Sequence, residues 1–325
     1  MIQSLSISGL MTLELHALNN EGAEGNTMMT RMVDVIVKDG AGAKKHTVNA
    51  ISGDMFKHIF VEHLIGEAKT NSLPLCQGCQ VFDPNRICYP PAWETLNKSR
   101  SWNKETKDSE ILRGVIETCL IDDAAGILIT GEVGGKSRSV ARKSAVEFGW
   151  VVGRPNEVST ESYFHAKYVS EGREKGSGDS ANTGQNIFHR PASSGRYAVV
   201  LNLDLYKIGR NDITLQYDLD QAARQARIAA VLRAIAATFV KPTGAHRNTQ
   251  HPHIVDFEGV VSLSSSTLPA PMVSALNPDF VAQIEKVAAG LNKLAATTQP
   301  ISTHNFDSLG DFVDRIAQTA SNLES

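Results

Sequence analysis

The chain has no apolar run of the roughly 18 residues that a membrane-spanning helix needs. Its N-terminus alternates polar and apolar residues where a signal peptide would be uniformly apolar. These absences predict a cytoplasmic protein with no membrane partner. The G-x-S-x-G and H-E-x-x-H motifs of hydrolases and zinc proteases are also missing, and no pair of carboxylates is suitably spaced for acid–base catalysis. We therefore expect no catalytic residues and no enzyme.

Aromatic residues make up only 6% of the 325 residues, and there are four cysteines, all between positions 76 and 119. So few cysteines in one region argue against a secreted disulfide framework. The contents of 42% hydrophobic and 21% charged residues are those of globular proteins. A formal net charge of −3 argues against a protein that coats nucleic acid over its whole surface, but it is compatible with a local basic stripe.

Hydropathy patterns predict the order of strands and helices. Residues 3–18 alternate as in a half-buried strand, and a turn at 19–26 joins them to a second strand at 32–37 as a long hairpin. Ser52 is expected to cap a helix over 53–67. The other predicted elements are helices at 105–120, 218–240, 277–296 and 305–322, and strands at 126–130, 145–152, 162–169, 186–190, 196–206 and 254–263.

Two segments interrupt this order. Residues 69–123 form a Pro-, Cys- and Trp-containing insertion, and 171–185 contain no large hydrophobic residue between two strand-like runs. Long polar segments of this kind are usually binding elements or disordered linkers, and we interpret this one as an arm that projects from a sheet. Without the two segments the order is βαββαβ, which predicts an α+β fold with a ferredoxin-like, RRM-type core.

Three loops offer backbone amides and cations to a phosphate group. Two of them border helices: 52–58 at a helix N-terminus, and 241–248 after the long helix. Each has an ordinary alternative, which is a capped core helix for the first and a helix-ending turn for the second. The phosphate-binding candidates in these two loops are Ser52, Lys57, His58 and Arg247.

The third loop, 131–139, lies in the most basic stretch, because residues 131–143 contain four basic residues and one acidic residue, a balance of +3. Its GGKS sequence resembles the end of a P-loop. However, Thr130 stands where that motif needs its first glycine, and the segment leads into a strand. We therefore exclude nucleotide hydrolysis. The residues expected to contact phosphate are Gly135, Lys136 and Arg138.

The cysteines suggest a metal site as well. Cys76 and Cys79, with Cys88 and the upstream His63, could supply three sulfur ligands and one nitrogen ligand to a structural zinc ion. The spacing is not one of the standard zinc-finger spacings, and a set of reduced thiols in a small insertion is an equal alternative. No cofactor is required, and zinc is a possible structural one.

Five blocks of sequence, in order within residues 1–265, resemble the DevR family, the repeated backbone subunit of type I CRISPR Cascade surveillance complexes, most similar to the I-B subtype. The blocks are SISGLMTLELHALNNEGAEGN, NAISGDMFKHIFVEHL, LPLCQGC, QNIFHRPASSGRYAVVLNLDLYKIG and KPTGAHRNTQHPHI. Residues 266–325 carry little of the resemblance. The older family label also includes "autoregulator", which would imply a regulatory role beside guide-RNA binding.

The resemblance implies a ribonucleoprotein complex in antiviral defense. Copies would stack head-to-tail on one crRNA guide as an open filament, beside other Cascade subunits, and leave guide bases free to pair with target DNA. The implied domains are an RRM-like palm at 1–68 and 124–265, a finger-like insertion at 69–123, an extended hairpin thumb at 163–197 and a C-terminal helical segment at 266–325.

A subunit that holds a guide must leave base edges exposed, so we expect it to bind phosphates. The aromatic K/R-G-F/Y-G/A-F-V-x-F/Y motif of ordinary RRM domains is indeed absent. Arg31, after the first turn, is a further expected RNA contact. At the base of the arm we expect contacts from Phe188, His189 and Arg190. Phe188 either wedges between bases or is a buried strand aromatic.

An RNA endonuclease that processes guide RNA or cleaves target RNA is the alternative function. It requires a carboxylate or histidine presented to the RNA. Asp34 and Asp39, near the first hairpin, are the only candidates that the sequence offers.

Overall fold

The computed structural model describes residues 2–39, 42–168, 185–244, 248–295 and 298–324. Its strands are β1 (Ser4–His16), β2 (Asn20–Glu24), β3 (Thr27–Thr30), β4 (Met32–Asp39), β5 (Gly42–Ile51), β6 (Ile127–Ile129), β7 (Glu132–Val133), β8 (Lys136–Ser137), β9 (Val140–Arg142), β10 (Val146–Phe148), β11 (Val151–Tyr168), β12 (Gln185–Leu203), β13 (His253–Ser264) and β14 (Ile301–Phe306). Its α-helices are α1 (Gly53–Thr70), α2 (Gln77–Gln80), α3 (Pro90–Arg100), α4 (Asp108–Thr118), α5 (Leu120–Ala125), α6 (Gln221–Val240), α7 (Phe280–Leu294) and α8 (Leu309–Glu324).

The central sheet confirms the predicted α+β, ferredoxin-like palm. Strands β13, β1, β12 and β11 lie side by side in that order and pair antiparallel, with α1 and α6 as the two connecting helices. In the βαββαβ core these strands are the fourth, first, third and second, which is the ferredoxin-like arrangement. Strand β14 extends the sheet beyond β13, and β5 and β4 extend it beyond β11.

The main core lies between the sheet and the helices α1, α6 and α8. Alternate residues of β1, among them Leu5, Ile7 and Met11, are fully buried on this side. Aromatic rings fill the space above them: Phe257 of β13 stacks on Phe239 of α6 with ring centroids 5.0 Å apart. This packing fixes the two crossover helices on one face of the sheet.

The other face of the palm sheet is covered by residues 268–276, which we call the strap. Ser6 of β1 donates a hydrogen bond from its Oγ to the carbonyl of Pro271 at 2.6 Å, and Ser8 Oγ accepts one from the N–H of Val273 at 3.2 Å. Beyond the strap, Phe280 of α7 packs in a second, smaller core on this face. Both faces of β1 are therefore buried.

Two predictions about strands are wrong. The first strand does not form a hairpin with 32–37: β1 pairs with β12 and β13, whereas β4 pairs with β5, and β2 with β3. In addition, the segment 266–325 is not purely helical, because β14 lies between α7 and α8 and completes the sheet edge. The partners of β1 and the position of β14 depend on pairing with strands far away in the sequence, and local periodicity does not encode such pairing.

Residues between α1 and β6 fold mainly as α2, α3, α4 and α5. The short β7–β8 hairpin packs on this helical region, since the indole N–H of Trp93 in α3 donates to the carbonyl of Glu132 at 2.9 Å. On the opposite side of the palm, β11 and β12 continue as a long antiparallel hairpin from Val158↔Gly195 to Tyr168↔Gln185. The polar tip of the predicted arm, from 169 to 184, lies outside the described residues. No helix in the described ranges is long and apolar enough to cross a membrane.

A buried ionic cluster joins the helical insertion to the palm. Asp123 of α5 is fully buried and accepts hydrogen bonds from Arg142 of β9 at 2.7 Å, from Arg227 of α6 at 2.8 Å and from the N–H of Gly209. Arg227 also donates to the carbonyl of Ile116 near the end of α4. Charge pairing with saturated hydrogen bonding is what makes such burial tolerable.

Replacing Asp123 by asparagine should destabilise the protein by about 3–5 kcal/mol, because the buried Arg227 loses its counter-charge and the buried Arg142 keeps only Asp212. Urea unfolding followed by circular dichroism measures the difference. Asp212→Ala is the matched control: Asp212 also binds Arg142, at 3.0 Å, but it lies nearer the surface. The control should cost about 1 kcal/mol. Equal losses for the two variants would contradict the role of this cluster.

Candidate nucleic-acid interface

Several chain segments meet where β1 ends. The side-chain oxygen of Asn19 accepts a hydrogen bond from the N–H of Ser52 at 2.7 Å, which places the start of α1 next to the end of β1. Gln250, in the connection from α6 to β13, donates to the carbonyl of Pro191 in β12 at 2.9 Å. We call this region the palm–thumb junction, and it comprises residues 17–31, 49–54, 148–168, 187–195 and 248–250.

Arg31 and Trp150 form an exposed cation–aromatic pair at the junction. The guanidinium carbon of Arg31 lies 5.0 Å from the centroid of the indole ring, and the same guanidinium is paired with Glu21. The backbone of Arg31 is held in place, because its carbonyl accepts a hydrogen bond from the side-chain amide of Asn49 at 3.0 Å. Trp150 is 43% exposed. Trp150 was not among the predicted contacts, because its only signal in the sequence is an aromatic residue that follows a glycine within the predicted strand 145–152.

The thumb hairpin carries a different set of rings on each face. On one face Phe188 stacks on His165 with centroids 5.6 Å apart and an angle of 9° between the rings, and Arg190 lies 4.6 Å above the Phe188 ring. On the other face His189 meets Phe164 edge-on at 5.9 Å. Phe188 is half-buried in this stack, so it is not the buried strand aromatic of the alternative interpretation, and its insertion between bases stays a prediction.

The β2–β3 hairpin supports the thumb at this point. The N–H of His189 donates to the carbonyl of Asn26 at 2.8 Å, and the same residue forms a parallel bridge with Thr27. Phe164 beside it is 61% exposed. The junction therefore brings together four of the predicted RNA contacts, namely Arg31, Phe188, His189 and Arg190. Two aromatic residues that were not predicted, Trp150 and Phe164, lie there as well.

At the start of α1, the groups predicted to bind phosphate already have partners within the protein. Ser52 is buried, and its Oγ accepts from the N–H of Met55 at 3.2 Å, which is ordinary helix capping. Lys57 donates to Ser144 Oγ at 3.0 Å, and burial lowers the pKa of its ammonium group, with a further lowering from nearby Arg86. His58 lies against Phe82. Capping and side-chain packing already use these groups.

Lys57 and His58 nevertheless line a cleft of about 480 Å³ with Arg86. Asp54 and Asp83 line the same cleft, so its charge is mixed. An RNA contact there remains a prediction.

The glycine-rich loop lies in the β7–β8 hairpin, away from the palm sheet. Gly135 has a φ of +74° with open space around it, and Lys136 is exposed. Arg138 is different, because its guanidinium donates to Asp108 at 3.1 Å and to the carbonyls of Lys104 and Thr106, each at 2.9 Å. Arg138 therefore holds the turn before α4, and the expectation that it is free to bind phosphate is wrong.

The structure also changes the expected metal ligands. The Nε2–H of His63 donates a hydrogen bond to the carbonyl of Lys241 at 2.9 Å, and the thiol of Cys88 points to the carbonyl of Leu128. Neither side chain belongs to a cluster with Cys76 and Cys79, since α1 turns His63 toward the end of α6. The side chains that do gather with these two cysteines are Cys119 and Asp122.

The carboxylate candidate for catalysis is held in a surface pair. Asp34 accepts from Thr47 at 2.8 Å and lies 2.6 Å from the ammonium of Lys45, whose hydrogen bond lowers the pKa of the carboxyl. Arg247 and the side chain of Asp39 lie outside the described residues.

A ferredoxin-like palm with a long hairpin thumb and a helical insertion thus defines the class of fold. The model of a family described as the CRISPR-associated negative auto-regulator DevR/Csa2 matches residues 7–285. The chain belongs to this family.

Individual relatives agree with the family match. The CRISPR-associated protein Cas7/Csa2 1 of Saccharolobus solfataricus is 22% identical over 303 residues, which cover 92% of this chain and 90% of the relative. A chain in the solved structure of a CRISPR RNA-guided surveillance complex, pre-nicking, superposes with a TM-score of 0.53 at 11% identity, over 98% of this chain and all of the other. At that identity the superposition supports the fold alone.

The different environments of Arg138 and Lys136 predict different effects of alanine substitution. Arg138→Ala should lower the free energy of unfolding by about 1–3 kcal/mol, because three acceptors lose their donor. Lys136→Ala should change it by less than about 0.5 kcal/mol, because the side chain is exposed. Urea denaturation of the two variants side by side is the measurement, and an unchanged stability for Arg138→Ala would refute the structural role.

Proposed function

We propose that the chain is a repeated backbone subunit of a type I, I-B-like Cascade complex in the cytoplasm. It holds a crRNA guide by its phosphates, stacks head-to-tail with further copies, and presents guide bases to target DNA. It acts as a scaffold without catalysis, beside other Cascade subunits. Membership of the DevR/Csa2 family supports this role, and the likeness to a chain of a surveillance complex supports the fold that the role needs.

The observation that carries the proposal is the covered face of the palm sheet. RRM domains stack bases on aromatic residues of the exposed sheet face. Here the strap and α7 occupy that face, and Ser6 and Ser8 of β1 are hydrogen-bonded to the strap. RNA is therefore left with the edges of the palm and the thumb. A subunit bound in this way can leave base edges free for pairing.

The palm–thumb junction has the groups that such binding needs. Its guanidinium groups bind phosphates, and its exposed rings accept any base by stacking. The pair between Arg31 and Glu21 is partly exposed, with 29% and 40% of the side chains accessible, although the Nε of Arg31 is buried. Exposed ion pairs contribute little free energy. A phosphate can replace Glu21 at small cost, while Trp150 keeps the arginine in place.

The scaffold role also agrees with the environment of Asp34. Its two oxygens are engaged by Lys45 and Thr47 on the β4–β5 hairpin. A general base must reach the proton that it removes. Asp34 has no neighbour that raises its pKa toward neutrality, and its pKa is lowered instead. We therefore do not propose the endonuclease alternative.

Arg31→Ala should weaken binding of unrelated single-stranded RNAs to a similar extent and reduce the slope of log K against log salt by about 0.7, the loss of one phosphate contact. Trp150→Ala should cost about 1–3 kcal/mol of binding free energy through lost stacking. Fluorescence anisotropy at several salt concentrations gives both values.

The matched control is Lys286→Ala, which removes an exposed cation from α7 on the covered side of the palm. Its affinity for RNA should equal that of the unchanged protein, and thermal melting should show all three variants folded. A larger loss for Lys286→Ala than for Arg31→Ala, or a loss confined to one RNA sequence, would reject binding at the junction.

A further inference from the structure

Four buried side chains at the base of the helical insertion point their polar atoms at one another. The sulfur atoms of Cys76, Cys79 and Cys119 and a carboxylate oxygen of Asp122 all lie within 4.8 Å of one another. The exposed fraction of each residue is 3% or less. Cys76 caps the single turn of α2, and Cys79 lies within that turn, while Cys119 and Asp122 come from the junction of α4 and α5.

Two of the separations in this cluster match those of ligands around one tetrahedral ion, and the rest are no longer than 4.8 Å. Zinc binds sulfur at about 2.3 Å and oxygen at about 2.0 Å, so that two sulfur ligands lie about 3.8 Å apart and a sulfur–oxygen pair about 3.5 Å apart. In the structure the Cys79 and Cys119 sulfurs are 3.6 Å apart, and Cys76 Sγ lies 3.7 Å from Asp122 Oδ2. A disulfide would require about 2.05 Å between sulfur atoms.

Asp122 lacks the partners that its neighbour Asp123 has. Both carboxylates are fully buried. Asp123 accepts from two guanidinium groups and one amide, whereas Asp122 Oδ1 has no hydrogen-bond partner and lies 3.7 Å from Arg86. A buried carboxylate among thiols, without adequate donors, is costly. A divalent cation at this position would remove that cost.

The backbone around the cluster brings the two cysteines of α2 close to each other and to the loop that contains Arg86. The N–H of Cys79 donates to Cys76 Sγ at 3.4 Å, which favours a thiolate at Cys76. Gly78, between the two cysteines, lies so close to Arg86 that a Cβ would come within 2.0 Å of the Arg86 carbonyl oxygen. Cys79 also borders the cleft of about 480 Å³ beside α1, which gives an ion a path into the cluster.

We propose that Cys76, Cys79, Cys119 and Asp122 bind a single structural zinc ion that closes the base of the helical insertion. With all four ligands ionised the set has the same charge as a four-cysteine site. The ion joins the start of the insertion to its end, so its binding free energy contributes to folding of the insertion. The proposal is independent of RNA binding.

The sequence contains the four proposed zinc ligands as two separate pairs. Cys-x2-Cys at 76–79 and Cys-x2-Asp at 119–122 have the same spacing, but they are separated by most of the insertion. An aspartate in the second pair hides it from a search for cysteine and histidine ligands.

Elemental analysis of the full-length protein, purified reduced and without chelator, should give about one zinc per chain. Cys119→Ser and Asp122→Asn should lose most of this metal, and Cys88→Ser should keep it, because Cys88 lies outside the cluster. Replacement by cobalt should produce the thiolate-to-metal absorption bands in the unchanged protein and in Cys88→Ser.

A strong chelator should lower the melting temperature of the unchanged protein and of Cys88→Ser by about 4 °C or more. The melting temperatures with and without chelator test zinc binding even if Cys119→Ser fails to fold. Reduced protein that takes up neither zinc nor cobalt would overturn the proposal. A Cys79–Cys119 disulfide in the purified protein, or equal metal loss in Cys88→Ser and Cys119→Ser, would overturn it as well.

Discussion

The burial of both faces of β1 is the constraint on which the rest of the structure depends. One face packs under α1 and α6, and the other is hydrogen-bonded through Ser6 and Ser8 to the strap. An RRM-type sheet with both faces covered has no platform on which to stack bases. Ligand contacts must then come from the ends and edges of the palm, where the thumb hairpin, the β2–β3 hairpin and the start of α1 meet.

Most of the arginines that look available in the sequence have structural partners. Arg142 and Arg227 neutralise Asp123 inside the molecule, and Arg138 holds the turn before α4. The planar guanidinium, with its five donors, suits these multiple carbonyl and carboxylate contacts. Because these three arginines pair within the molecule, they add little to the basic surface of a chain whose net charge is −3.

The helices α1 and α6, the βαββαβ order and the thumb strands could be predicted, because each depends on local periodicity and capping. The partners of β1, the strap and the position of β14 could not, since each is set by contacts with residues far away in the sequence. The same distinction applies to the site: His189 was placed correctly on the thumb, whereas Trp150 and the pair Cys119 and Asp122 acquire their neighbours only through the fold.

The most direct test of the scaffold account is the number of protein copies bound to single RNAs of increasing length, measured by native mass spectrometry with the RNA recovered and sized afterwards. The account predicts that copies are added in equal steps of RNA length and that the RNA stays intact. One copy per RNA regardless of its length, or RNA shortened by the purified protein, would contradict it.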